Sequence, residues 1–190
     1  MQLSKKQYDN LKKAYNEEYL PFDYGFIEIV SKKIQERSPP YLEFLELWQI
    51  DAWKNGSRNY SRIEKNNKNN NSGKVIQFTK AALALVHKDI KESIRILADE
   101  LDGVGIPVAS AIVFFAFPEE FVVIDRYAWN AYNTIKTGKA PAKWDKAFTG
   151  GTKEYEEFLL FCQAEAKKLG SGWTPRDVEK ALFEYAEEQM

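Results

Sequence analysis

The residues of this sequence best suited to chemistry lie between 101 and 129, in LDGVGIPVASAIVFFAFPEEFVVIDRYAW. Gly103 and Gly105 flank Val104, and Ile106-Pro107 open the apolar segment that follows. Glycine at two alternate positions permits positive φ and close approach of a partner, and proline suits the first turn of a helix. Unpaired N–H groups at such a helix start form an electropositive pocket that fits a phosphate. The same pattern also serves as a plain glycine-capped turn. Farther on, Asp125 follows the apolar run FVVI and precedes RYAWNAY, where Tyr127, Ala128, Ala131 and Tyr132 repeat at helical spacing. Asp125 is therefore either a helix N-cap or a reactive carboxylate able to stabilise a developing cation or deprotonate water.

A second stretch, WKNGSRNYSR at residues 53–62, alternates Trp53 and Tyr60 with Lys54, Asn55, Arg58, Asn59 and Arg62. It mixes stacking faces with phosphate donors, although an exposed helix end has the same composition. Arg126, beside Asp125, suits either a phosphate contact or a structural ion pair. The chain is rich in aromatic rings, and most rings at helical spacing belong to a core. His87 is the lone histidine, read as lying on a helix, and no Ser-His-Asp or metal-ligand set assembles around it. Cys162 is the lone cysteine, which excludes an internal disulfide and a four-cysteine cluster, and its simplest place is buried and reduced.

Elements must hold these groups in place. The 190 residues, 44% hydrophobic and 14% aromatic, suffice for one domain with a real core. A formal charge of −1 leaves no global field to attract a polyanion, so any such contact is local. Apolar residues recur at steps of three and four, as in Leu83, Val86, Ile90, Ile94 and Leu97. The pattern predicts about nine or ten helices, with Ser4 and Thr174-Pro175 as start signals and Pro39-Pro40 opening YLEFLELWQIDAW. FVVI reads as an extended connector as readily as a strand. NNKNNNSG, residues 66–73, predicts a mobile surface loop, and KTGKAPAKW, residues 136–144, a second basic one. The N-terminal stretch lacks a signal-peptide core and no run reaches bilayer length, so the expected location is the cytoplasm, away from any membrane.

Taken together, LDGVGIPVAS resembles the helix-hairpin-helix signature L-x-G-V-G-x-x-x-A of the endonuclease III-like DNA glycosylases. Leu101, Gly103, Val104, Gly105 and Ala109 match it position by position, and Asp125 stands 20 residues beyond Gly105, the offset of that family's essential aspartate. The resemblance implies an all-α, two-lobed fold over residues 1–190, with the hairpin at about 90–117 and a cleft between the lobes. It implies that the hairpin, Gly103 to Ile106, grips a phosphate of double-stranded DNA; from their own composition and position, Lys54, Arg58 and Arg126 are candidate further DNA contacts. A base rotated out of the duplex would enter a pocket for which Trp48, Trp53 and Tyr24 are the candidate walls. Asp125 would then be the catalytic group.

Departures from the signature narrow the expectation. Bifunctional members carry a lysine two residues past the second glycine, and this chain has Pro107 there. That implies a monofunctional glycosylase in which water attacks the sugar and an abasic site remains. No iron–sulfur cluster is expected; the cofactor expectation is none, beyond an ion at the hairpin, and the expected state is a monomer. Whether Asp125 activates water or stabilises the sugar cation stays open, as does the choice between repair of damaged bases and removal of bulky modified phage bases in antiviral defence. A further alternative is a non-catalytic DNA-binding module in which Asp125 only caps a helix.

Overall fold

The computed structural model describes residues 3–55, 65, 68–144 and 146–190. Among these, eight helices are formed and no strand: α1 (Lys5–Gln35), α2 (Phe44–Asn55), α3 (Ser72–Leu83), α4 (Ile90–Glu100), α5 (Ile106–Ala116), α6 (Arg126–Thr137), α7 (Thr152–Leu169) and α8 (Pro175–Glu187). The all-α expectation therefore holds, with eight described helices against nine or ten predicted. Helix ends follow local chemistry. Ser4 and Gln7 close a capping box at α1, and Thr174 and Asp177 close another at α8 with Pro175 in its first turn.

Helix α5 forms the centre. All nine residues from Val108 to Ala116 are buried, so this helix has no solvent face, and it packs on α1, α2, α4 and α7. The C-terminal α8 is a second hub, touching α1, α6 and α7. Between α5 and α6, the residues Phe121 to Ile124 are all buried yet form no strand. Buried backbone needs partners. Two side chains supply them: the Tyr155 hydroxyl donates to the Val122 carbonyl at 3.1 Å, and the Ile124 N–H donates to Ser110 Oγ at 3.0 Å.

Four local expectations are corrected. Pro39-Pro40 does not open the second helix, which starts at Phe44; the segment ahead of it is held instead by Arg37, whose guanidinium donates to both oxygens of Glu46 at 2.6 and 2.7 Å and to the Tyr41 carbonyl. The stripe from Leu83 to Leu97 spans two helices, with a turn between them, because Asp89 caps α4 by accepting from the Glu92 N–H. His87 falls in that turn, exposed, 3.6 Å from Glu120, and not on a helix. The asparagine-rich segment is not a free loop at its described end. Asn71 caps α3, and the buried Asn70 is fastened to the hairpin.

Candidate active site around Asp125

Helices α4 and α5 with the turn between them form the hairpin. Gly103 has φ 78°, a left-handed conformation that a side chain strains, so glycine is required there by backbone alone. Gly105 is different. Its φ is −84°, and an added Cβ would meet only Pro107 Cδ at 3.8 Å, an ordinary contact. Among the described residues nothing demands glycine at 105; a small residue there leaves the outer surface of the turn open to close approach. Gly105 is also the N-cap of α5 and has no side chain to occupy the first-turn amides. Val104 is turned inward, with its side chain buried and its N–H donating to the Leu101 carbonyl at 3.1 Å. It staples the turn from inside, while Gly105 and Ile106 begin α5 with no side-chain cap on their end of the helix.

The turn is braced from outside. Asn70 donates from Nδ2 to the Asp102 carbonyl at 2.9 Å and accepts the Asp102 N–H at 3.0 Å, so one amide side chain pairs with both backbone polar groups of the residue before Gly103. Lys74 adds an ion pair to the Asp102 carboxylate at 3.2 Å. Ser110 ties the hairpin to the connector: its hydroxyl donates to the Pro107 carbonyl at 2.8 Å while accepting the Ile124 N–H. Thus a single buried hydroxyl links the first turn of α5 to the residue preceding Asp125.

Asp125 is the N-cap of α6. Its Oδ1 accepts the Ala128 N–H at 2.9 Å, so the capping reading is correct as far as it goes. The cap uses one oxygen. Oδ2 lies 4.0 Å from Nζ of Lys54 on the last turn of α2, and the two side chains retain 16% and 12% of their exposure respectively. Lys54 is thus not a solvent-facing phosphate donor but half of a recessed pair. Burial pushes its amine below the ordinary lysine range. Asp125 opposes that shift, whereas the charges of Arg176 and Arg126 reinforce it.

The remaining candidates scatter. Arg126 is exposed and folds over the neighbouring Tyr127, 4.8 Å from the ring, with Nη2 donating to its hydroxyl at 3.0 Å. Trp53 is core-packed: it stacks on Phe114 at 6.3 Å, meets Phe115 edge-on at 5.1 Å, and has the Arg176 guanidinium 5.8 Å from its ring. Trp48 is half-buried on α2. Arg58 and the side chain of Tyr24 lie outside the described residues. A cavity of about 670 Å³ opens between α1, α8 and the end of α5, walled by Ser31, Phe114 and Arg176 among others, but neither Asp125 nor Lys54 lines it. Near α8, Glu18, Glu184 and Glu187 bring three carboxylates within 4.8 Å of one another, a grouping able to hold a cation among the described residues. Cys162 is fully buried, and burial raises its thiol well above the ordinary value.

Ser110, Asn70 and Lys74 are missing from the sequence-derived site. Ser110 carried a faint signal as the one hydroxyl in an otherwise apolar helix; the asparagine tract masked Asn70 because its composition reads as loop whatever one member does. No protein-family model, curated protein or solved structure matches the chain.

Proposed function

We propose that this protein is a DNA glycosylase with a two-lobed helix-hairpin-helix architecture, extruding a damaged or modified base from double-stranded DNA and breaking its N-glycosidic bond. One observation carries the reading: Asp125 keeps an oxygen outside its capping bond, in a recess connected through Ser110 to a hairpin whose outer amides are free to hold a phosphate. In this mechanism the Gly105 and Ile106 amides anchor the backbone of the target nucleotide. As the bond to the base stretches, C1′ gains oxocarbenium character, and the fixed carboxylate stabilises that charge more than the neutral ground state. Water completes the displacement on the opposite side of the sugar from the departing base. Capping assists catalysis, because a carboxylate bound to Ala128 N–H is pinned in orientation before substrate arrives.

The test is release of free base, read by mass spectrometry, from duplexes carrying alkylated, oxidised, deaminated and bulky phage-type modified bases. Release from any of them supports the reading, and the substrate that reacts separates repair from antiviral defence. Salt-sensitive binding with no base released from the panel points to a non-catalytic DNA-binding module instead.

A further inference from the structure

Three residues lining the cavity between α1, α8 and the end of α5 carry buried polar atoms with no hydrogen-bond partner among the described residues: Asn16 Oδ1, Ser31 Oγ and Arg176 Nε. A buried donor or acceptor left unpaired costs free energy, so their gathering in one cavity calls for partners from outside the chain. Two of them sit together. The Tyr15 hydroxyl accepts from Arg176 Nη2 at 3.2 Å and Lys12 pairs with Asp177 at 3.0 Å, which lays the Lys12 to Asn16 stretch of α1 along the first turn of α8. Ser31 lies farther along α1, at most about 22 Å from Asn16 at a rise of about 1.5 Å per residue. Arg176 is held with one donor spare. Glu179 takes its Nη1, Tyr15 takes its Nη2, and the guanidinium carbon rests 5.2 Å from the centre of the Phe114 ring, so Nε–H is fixed in direction before any ligand arrives.

We propose that this end of the cavity binds a small 2-hydroxy carboxylic acid with an apolar body, at a site separate from the one around Asp125 and independent of the glycosylase reading. The carboxylate belongs on Arg176 Nε–H, because a charge-assisted bond to a fixed guanidinium is stronger than a neutral one. Asn16 Oδ1 only accepts, so the ligand must bring an O–H or N–H close to its carboxylate. Charge separates those two. The described lining sets Lys12, Lys32, Arg176 and Lys180 against three carboxylates, an excess of one positive charge. That excess favours a hydroxy acid, with its single negative charge, over a neutral zwitterionic amino acid and over a phosphate monoester with close to two. Ile27, Phe114 and Pro118 give the same cavity an apolar wall for the body of the acid. A volume of about 670 Å³ lies within the range of small-molecule sites and holds an acid bearing one ring.

Isothermal titration calorimetry on the full chain with 3-phenyllactate tests this, alongside four relatives that each alter one feature. Of these, 3-phenylpropionate lacks the hydroxyl, 3-phenyllactamide lacks the charge, lactate lacks the apolar body, and phenylalanine carries an ammonium in place of the hydroxyl. The expected result is that 3-phenyllactate binds and each relative binds on the order of 10-fold more weakly, or worse, the scale of one hydrogen bond to a charged group. Asn16→Leu, at a half-buried position of α1, is expected to weaken 3-phenyllactate to the level of 3-phenylpropionate while leaving 3-phenylpropionate within a few-fold of wild type. The wild-type series decides the charge and the hydroxyl without relying on any variant. No binding of 3-phenyllactate at millimolar concentration, equal affinity for the acid and its amide, no effect of Asn16→Leu, or free nucleobases bound in preference to the acid overturns the proposal. Base release from duplexes is measured separately, so the loss of either reading leaves the other standing.

Discussion

Replacing Ser110 with alanine removes a hydroxyl that is fully buried and makes two hydrogen bonds, one to the Pro107 carbonyl and one from the Ile124 N–H. Ile124 is fully buried, so its N–H is left without water as a substitute partner. An orphaned buried donor costs roughly 1–3 kcal/mol, and the change in volume is a single oxygen, too small to add a large cavity cost. We take about 2 kcal/mol as the expected loss. For a chain of this length each kcal/mol lowers Tm by roughly 2–4 °C, so Ser110→Ala unfolds about 4–8 °C earlier. Circular dichroism melting measures that directly, and amide hydrogen exchange at Ile124 supplies a local readout, since that N–H loses its acceptor. On the proposed glycosylase reading, base release is expected to suffer more than stability does. Ile124 adjoins Asp125, and a carboxylate displaced by about 1 Å can lose on the order of 10²-fold in rate. A Tm within about 1 °C of wild type, with unchanged exchange at Ile124, refutes the link between hairpin and connector.

Further outcomes follow from the same contacts. Asn70→Ala removes both bonds to Asp102 and is expected to cost about 1–3 kcal/mol, with weaker binding to abasic duplex in fluorescence anisotropy; unchanged melting and affinity would count against the brace. Arg37→Met leaves the charge of Glu46, whose side chain is only 7% exposed, with only the Glu43 N–H as a partner, so it is expected to destabilise by about 3 kcal/mol, more than Arg37→Met/Glu46→Leu does in denaturant titration. The pH dependence has a definite sign. Burial and neighbouring acids raise the carboxyls of Glu184 and Glu187 above their ordinary value of 4.5, so the folded state holds their protons more tightly than the unfolded state. The stability they confer is full below 4.5 and is lost as pH rises through the raised values. Glu184→Gln therefore raises Tm at pH 7, and the gain disappears at pH 4; an equal shift at both values contradicts the assignment.

What could be read from residue order was what depends on neighbours along the chain. Ser4, Thr174 and Asp125 cap helices because a short polar side chain reaches an amide three residues on, a strictly local fact. Gly103 was legible for the same reason, as positive φ is a property of one residue. The pairings that build the site join distant segments. Asn70 meets Asp102, Ser110 meets Ile124, and Lys54 meets Asp125 only after α2, α3 and α5 have packed. Periodicity reports which face of a helix is buried but not what that face meets, so Trp53 was kept as a candidate pocket wall although most rings at such spacing belong to a core, which is where it packs. The stripe through Val86 shows the complementary limit, since apolar spacing can run unbroken across a turn that Asp89 terminates.

The proposed action of the Asp125 carboxylate on the sugar of an extruded nucleotide is tested most directly by Asp125→Asn. Asparagine keeps the side-chain oxygen that accepts the Ala128 N–H, so the cap and the fold persist while the charge is lost. On whichever base of the panel the wild type releases, single-turnover release by Asp125→Asn is expected to fall on the order of 10²-fold or more, with duplex affinity within a few-fold of wild type. Release at the wild-type rate by a correctly folded Asp125→Asn contradicts the account.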